Sequence, residues 1–164
     1  MTQSTANGVA VFGSTDLDSL ASSSTLVAGW ESGVITLSSA DTHMLSGRFK
    51  ANNTAPTAGT LEVWVVPPWD IAGTATYPDV FDGTGSAETV TYRNVLLQSG
   101  RLAWSFITDA TANRIYEFGQ VDIASLFGGT MPKKYVVFVT HSMVQALNVT
   151  GSAGGQCWYE AVTY

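Results

Sequence analysis

From Leu26 onward the chain is a succession of short runs rich in β-branched and aromatic residues, each closed by Gly, Pro, Asn, Asp or Ser. Punctuation at these intervals is the pattern of an antiparallel β-sandwich. The clearest runs are residues 26–30, 33–38, 44–51, 60–66, 102–108, 114–119, 135–141 and 156–163. Most have the five to eight residues of ordinary strands.

Side chains alternate faces along a strand, so residues 45–51 put Leu45, Phe49 and Ala51 on one side and Ser46, Arg48 and Lys50 on the other. That is one core face and one wet face. Tyr135-Val136-Val137-Phe138-Val139 is apolar on both faces, as a central strand is when a loop or a neighbouring subunit covers its second side. In Leu61-Glu62-Val63-Trp64-Val65-Val66, Trp64 falls on the face opposite Leu61, Val63 and Val65, where an exposed indole would call for a partner.

The sequence predicts one short helix inside this β context, over residues 121–127, because Gly128-Gly129 follows as a natural C-terminal stop. Residues 14–20, with Ser14 or Thr15 placed as a cap, offer at most one further turn. The stretch 67–89 holds Pro67, Pro68, Gly73, Pro78, Gly83 and Gly85 and reads as a long loop leaving the body of the sandwich. Residues 1–12 read as an N-terminal arm and 13–164 as a single domain, with no internal linker or repeat.

Of the 164 residues, 45% are hydrophobic and only 12% charged, about half the charged fraction of an ordinary soluble domain. Depletion of charge is what a surface shows where a partner covers it. The net charge of -6 disfavours a phosphate backbone, and nucleic acid is not an expected partner. No apolar run approaches the eighteen or so residues that cross a bilayer, and the first residues carry neither a basic nor an apolar signal region. No membrane is expected, and synthesis in the cytoplasm is. The single Cys157 can make no intrachain disulfide.

Catalysis needs several titratable groups brought together, and few are available. His43 and His141 lie in or beside apolar strand patterns and read as structural histidines bonded to a neighbouring strand. Cys157, between Gln156 and Trp158, reads as a buried inert thiol. There is no Gly-x-Ser-x-Gly elbow. Asp79 and Asp82 precede Gly83 at a spacing that a calcium ion could use, but the remaining ligand positions of a calcium loop are missing and Asp-Gly is first a turn signal. Gly151-Ser152-Ala153-Gly154-Gly155 lacks the Lys-Ser/Thr of a phosphate loop, and the sequons at Asn52 and Asn148 carry no weight without secretion. No enzyme activity, metal or cofactor is expected.

The aromatics are more informative. Trp69, Tyr77 and Phe81 stand among prolines and small polar residues, where they either fold back to cap the sandwich or anchor an interface. With Trp64 they are candidate interface residues, joined by Val9 and Phe12 of the arm. Such a set also suits stacking on sugar faces.

The stretches Thr15-Asp16-Leu17-Asp18-Ser19-Leu20-Ala21, Leu26-Val27-Ala28-Gly29-Trp30-Glu31-Ser32, Tyr77-Pro78-Asp79-Val80-Phe81-Asp82-Gly83 and Ile123-Ala124-Ser125-Leu126-Phe127-Gly128-Gly129, followed by Met131-Pro132 and Val137-Phe138-Val139, resemble small virion structural proteins of tailed bacteriophages. The likeness runs in order over most of the chain. It implies a sandwich of jelly-roll type, the fold of capsid decoration or cement subunits, seated on the outside of the virion head. The implied partners are the major capsid protein and other copies of the chain in a trimer or dimer; weak contacts to a repeating lattice gain from such multivalency. The alternatives are a tail, baseplate or fibre-associated structural protein, and a glycan-binding module.

Overall fold

The computed structural model describes residues 8–37, 40, 42–70, 74–147 and 155–163. In chain order the elements are β1 (Val9–Ala10), β2 (Ala28–Glu31), β3 (Ile35–Thr36), β4 (Thr42–Lys50), β5 (Gly59–Val66), β6 (Ala87–Thr89), α1 (Arg93–Ser99), β7 (Arg101–Thr108), β8 (Ile115–Asp122), α2 (Ile123–Leu126), β9 (Lys134–His141) and β10 (Gly155–Val162). One antiparallel sheet runs β1-β10-β4-β8 and the other β6-β2-β9-β5-β7, with β3 beside β9. The two pack face to face.

The alternation read from the sequence places the core between them. Leu45, Phe49 and Ala51 meet Leu61, Val63, Val65, Tyr135, Val137 and Val139, all without exposed surface. Cys157 is buried among them, and burial pushes its thiol far above the ordinary range.

The larger sheet is also covered on its outer face. Trp64, Val66, Val136 and Phe138 form a second apolar layer with Tyr77, Phe81, Val90 and Leu96. This corrects two expectations. Trp64 is not an exposed anchor but 3% accessible, its indole N–H donating to Glu62 Oε2 at 2.8 Å. The stretch 67–89, expected to leave the body, lies back on the sheet from Tyr77 onward, with the Phe81 ring edge-on to Phe138 at 5.3 Å. Of the two covers expected for the 135–139 run, a loop and a neighbouring subunit, it is the chain's own loop, helped by α1, that supplies it.

Close packing of this layer requires Gly29. A Cβ there would stand 2.2 Å from the Val139 carbonyl oxygen and 2.5 Å from the Phe138 ring. No side chain fits without moving backbone.

Among the described residues there are two short helices rather than one. The signals that announce a helix are absent from α1: its N-cap Tyr92 makes no side-chain bond and the first turn holds no acidic residue. Tertiary packing of Leu96 into the outer layer holds it instead. The helix α2 is shorter than expected because Val121 and Asp122 finish β8; Asp122 caps Ala124 N–H at 3.0 Å, and Gly128 and Gly129 end it at φ of 70° and 90°. Residues 14–20 are overlapping turns, with Leu17 and Leu20 turned into the core.

The arm expected over 1–12 is not free in its second part. Val9 and Ala10 pair with Tyr159 and Trp158 of β10, and Val11 and Phe12 are buried in the main core. Residues 1–7 lie outside the described residues.

Candidate interaction surface

The run Leu102-Ala103-Trp104-Ser105-Phe106-Ile107 is apolar on both faces, like β9, but among the described residues β7 ends its sheet and pairs only with β5. Nothing among the described residues covers its outer side. Ile107 and Leu102, opposite Thr60 and Trp64 of β5, are therefore exposed on that side, Ile107 at 93%.

A register shift against Val63 and Trp64 of β5 leaves Ala103 as an extra residue on β7, buried in the core. Bulges of this kind turn a strand and re-aim its side chains. Trp104 then reaches over the open side of the sandwich, its ring stacked on Phe118 of β8 at 5.8 Å and 16°. Phe106 packs beneath, 6.2 Å from both Phe118 and Phe49.

The strand β8 ends the other sheet, and the turn from β7 to β8 crosses from one sheet to the other. It is held by Asp109, which accepts from Thr111 N–H at 3.0 Å and faces Arg114 at 3.8 Å. Its hydrogen bonds to the Thr111 and Tyr116 groups, with the Arg114 charge, hold the Asp109 carboxyl below the usual carboxylate range. The result is a rim of two eight-residue edge strands with Leu102, Trp104, Ile107 and Ile115 exposed. Unpaired edges of that length offer backbone N–H and C=O groups to another chain.

Of the six candidate residues chosen from sequence, two are open to a partner: Trp69 at 74% accessibility and Val9 on β1. The Trp69 N–H donates to Thr76 C=O at 2.8 Å. Trp64, Tyr77, Phe81 and Phe12 are buried, so the structure does not gather the six into one surface. The rim residues were missed, although β7 carries the same two-faced apolar signal as β9. What separates the two is position in the sheet, which no local pattern reports.

Comparison with protein-family models, curated proteins and solved structures finds no match.

Neither histidine is placed beside a nucleophile or a second ligand among the described residues. His43 Nδ1 shares a hydrogen bond with the Tyr135 hydroxyl at 2.7 Å, and its ring lies 4.6 Å from Tyr159. His141 Nε2 donates to Leu20 C=O at 2.8 Å, while Nδ1 accepts from Met143 N–H at 3.4 Å. Burial lowers the pKa of both imidazoles from 6.5, so both are neutral in the fold.

Their effect on stability follows by linkage. Both groups bind protons more readily in the unfolded chain, so their contribution is complete above 6.5 and is lost as the pH falls from there to the depressed folded values. Glu31 acts oppositely, because burial and the charges of Asp82 and Glu88 raise its pKa from 4.5 to about 7. Its contribution is present below 4.5 and is lost as the pH rises through 7. Urea midpoints taken between pH 8 and pH 4 isolate the histidine effect by difference. The His141→Gln protein is expected to lose less stability below pH 6.5 than the parent, by up to about 1.4 kcal/mol per pH unit. Parallel curves would mean that His141 does not titrate there.

Proposed function

We propose that this chain is a virion structural protein of a tailed bacteriophage, a head decoration or cement subunit that binds the outside of the capsid shell and other copies of itself. The observation that carries this reading, beside the sequence resemblance, is strand order. With β3, which lies off the main path, and the edge strand β6 set aside, four strands are left in each sheet: β1-β10-β4-β8 and β2-β9-β5-β7. First and last strands are neighbours, and the chain crosses between sheets at most connections. That order supports reading the sandwich as a jelly roll, an architecture used by viral capsid and lectin domains.

Fold alone does not assign function, and the rim supplies the rest of the support. A subunit that repeats over a lattice needs a modest contact multiplied many times, and an exposed Trp and Ile on open strand edges suit that use. The test is the copy number in purified virions. A head cement is present in copies on the order of hundreds and its loss makes heads burst more readily on heating; a copy number in the low tens would place it in the tail or baseplate. An Ile107→Asp, Trp104→Ser double variant should stay folded and bind depleted heads about tenfold or more weakly.

A glycan-binding module is the second reading, favoured by the exposure of Trp69. Binding to an immobilised sugar panel that Trp69→Ala removes would establish it and overturn the first.

A further inference from the structure

Where the loop after Tyr77 crosses the outer face of β2 and β6, three acidic side chains converge. One oxygen each from Glu31, Asp82 and Glu88 can be chosen so that all lie within 4.8 Å of one another. Asp79, the partner considered for Asp82 from the sequence, is committed elsewhere: it accepts from Thr91 N–H at 2.6 Å and Thr91 Oγ1 at 2.7 Å. Glu31 comes from β2, far from Asp82 in sequence, and Glu88 from β6 shortly after it; the pairing of Gly29 with Glu88 sets the two glutamates on one face.

Glu31 is wholly buried. It accepts the N–H groups of Gly83 and, more loosely, of Asp82 at 3.2–3.3 Å. The Gly83 N–H binds Oε1, while Oε2 takes only the longer bond from Asp82 N–H at 3.2 Å and keeps a lone pair to ligate. Asp82 Oδ1 holds Thr84 N–H and Oγ1, and Glu88 Oε1 holds Ser86 Oγ, so each keeps a second oxygen. Among the described residues no Arg or Lys pairs with any of the three; the ion pairs are Arg48–Glu117, Arg93–Glu62 and Arg114–Asp109. Clustered, uncompensated carboxylates around one buried member are costly without a positive partner.

A second and independent feature points into the same place. The Tyr77 side chain is only 6% accessible, yet its hydroxyl has no hydrogen-bond partner. The Cε2 edge of that ring lies 3.6 Å from the position a Gly83 Cβ would take, against the residue whose N–H holds Glu31. The hydroxyl is also close enough to feel the Glu31 charge. A buried orphan hydroxyl beside a set of carboxylates is what a bound, hydrated ion would satisfy through one of its waters. Gly83 (φ 76°) and Gly85 (φ 77°) give the loop the left-handed turns that wrap it around this point.

We propose that Glu31, Asp82 and Glu88 form a binding site for a hydrated divalent cation of the calcium class, with a metal-bound water hydrogen-bonded to Tyr77 Oη. The donors are all oxygen, with no imidazole or thiolate, which suits calcium and not zinc. Magnesium demands near-ideal octahedral geometry and dehydrates reluctantly, whereas calcium accepts irregular sets drawn from side chains and water. The ion would tie the 77–88 segment to β2 and offset the repulsion among the three carboxylates. The site does not depend on the function proposed above.

The test uses the full chain, stripped with EDTA and dialysed. Calcium chloride is expected to raise the Tm saturably, by about 5–10 °C at a hundredfold excess over Kd, and terbium should bind at the same site with luminescence sensitised by nearby aromatics. Glu88→Gln, at a half-exposed position that leaves the fold intact, and Asp82→Asn should each weaken calcium binding about tenfold or more. Glu117→Gln, on the other sheet, should leave it unchanged. Absence of any Tm shift or calorimetric heat up to about 10 mM calcium, beyond the weakest range of calcium modules, would overturn the proposal. So would a shift that Glu88→Gln and Asp82→Asn leave intact.

Discussion

Replacing Arg93 with alanine is expected to lower stability by about 3 kcal/mol, enough to shift the urea midpoint by a molar unit or more. The Glu62 side chain on β5 is 8% accessible, and Arg93 brings a guanidinium nitrogen to 2.6 Å and 2.5 Å from its two oxygens. The same guanidinium donates to Leu26 C=O at 3.1 Å and lies 5.0 Å from the centre of the Trp64 ring. One side chain therefore neutralises a buried charge, ties α1 to the start of β2 and covers an indole. Removal leaves the Glu62 carboxylate with only the Trp64 N–H, and a buried charge without its counter-charge costs about 3–5 kcal/mol. The lower figure applies because Arg93 is 29% accessible and water can reach part of the vacancy. The paired change Arg93→Met, Glu62→Gln should cost less than Arg93→Ala alone, since it removes both charges and keeps the packing. A single variant within about 0.5 kcal/mol of the parent would mean that the pair behaves as a surface ion pair.

Phe138→Ala should be at least as damaging, at about 3–5 kcal/mol. Phe138 is fully buried on β9 but faces outward from the sandwich, into the layer made by Tyr77, Phe81 and Leu96. The cavity would open beneath a loop, so the 77–90 segment should loosen before the sandwich does and protease should cut there first. Phe138→Leu, which keeps most of the volume, should cost under about 1.5 kcal/mol. Equal stability of Phe138→Ala and the parent would show that the outer layer is not packed.

That outer layer divides what the sequence discloses from what it hides. Alternation at Leu45, Phe49 and Ala51 and at Leu61, Val63 and Val65 is set by backbone geometry, so the inner faces were legible residue by residue. The two-faced run 135–139 announced a covered strand. Yet the identity of the cover depended on Tyr77 and Phe81 reaching across more than fifty residues of chain to Phe138, and prolines and glycines marked only that their segment was irregular. Trp64 was misread for the same reason, since the partners that bury it, Glu62 and Arg93, are joined by a contact no local pattern carries. The acidic site shows the limit most clearly: Asp79 and Asp82 are close in sequence and serve different ends, while Glu31, Asp82 and Glu88 meet only because β2, β6 and the intervening loop are stacked on one another.

The placement of β4 between β8 and β10 has a consequence for how the chain is made. During translation β4 emerges early, but β10 follows it by roughly a hundred residues, about five to twenty seconds of synthesis at typical rates. Every strand of the larger sheet is available once His141 has been released, so that sheet can assemble on the ribosome while β4 still has one hydrogen-bonding edge vacant. Until β10 emerges the slot between β1 and β4 stays open, and a separate peptide carrying the β10 sequence would compete for it during that interval.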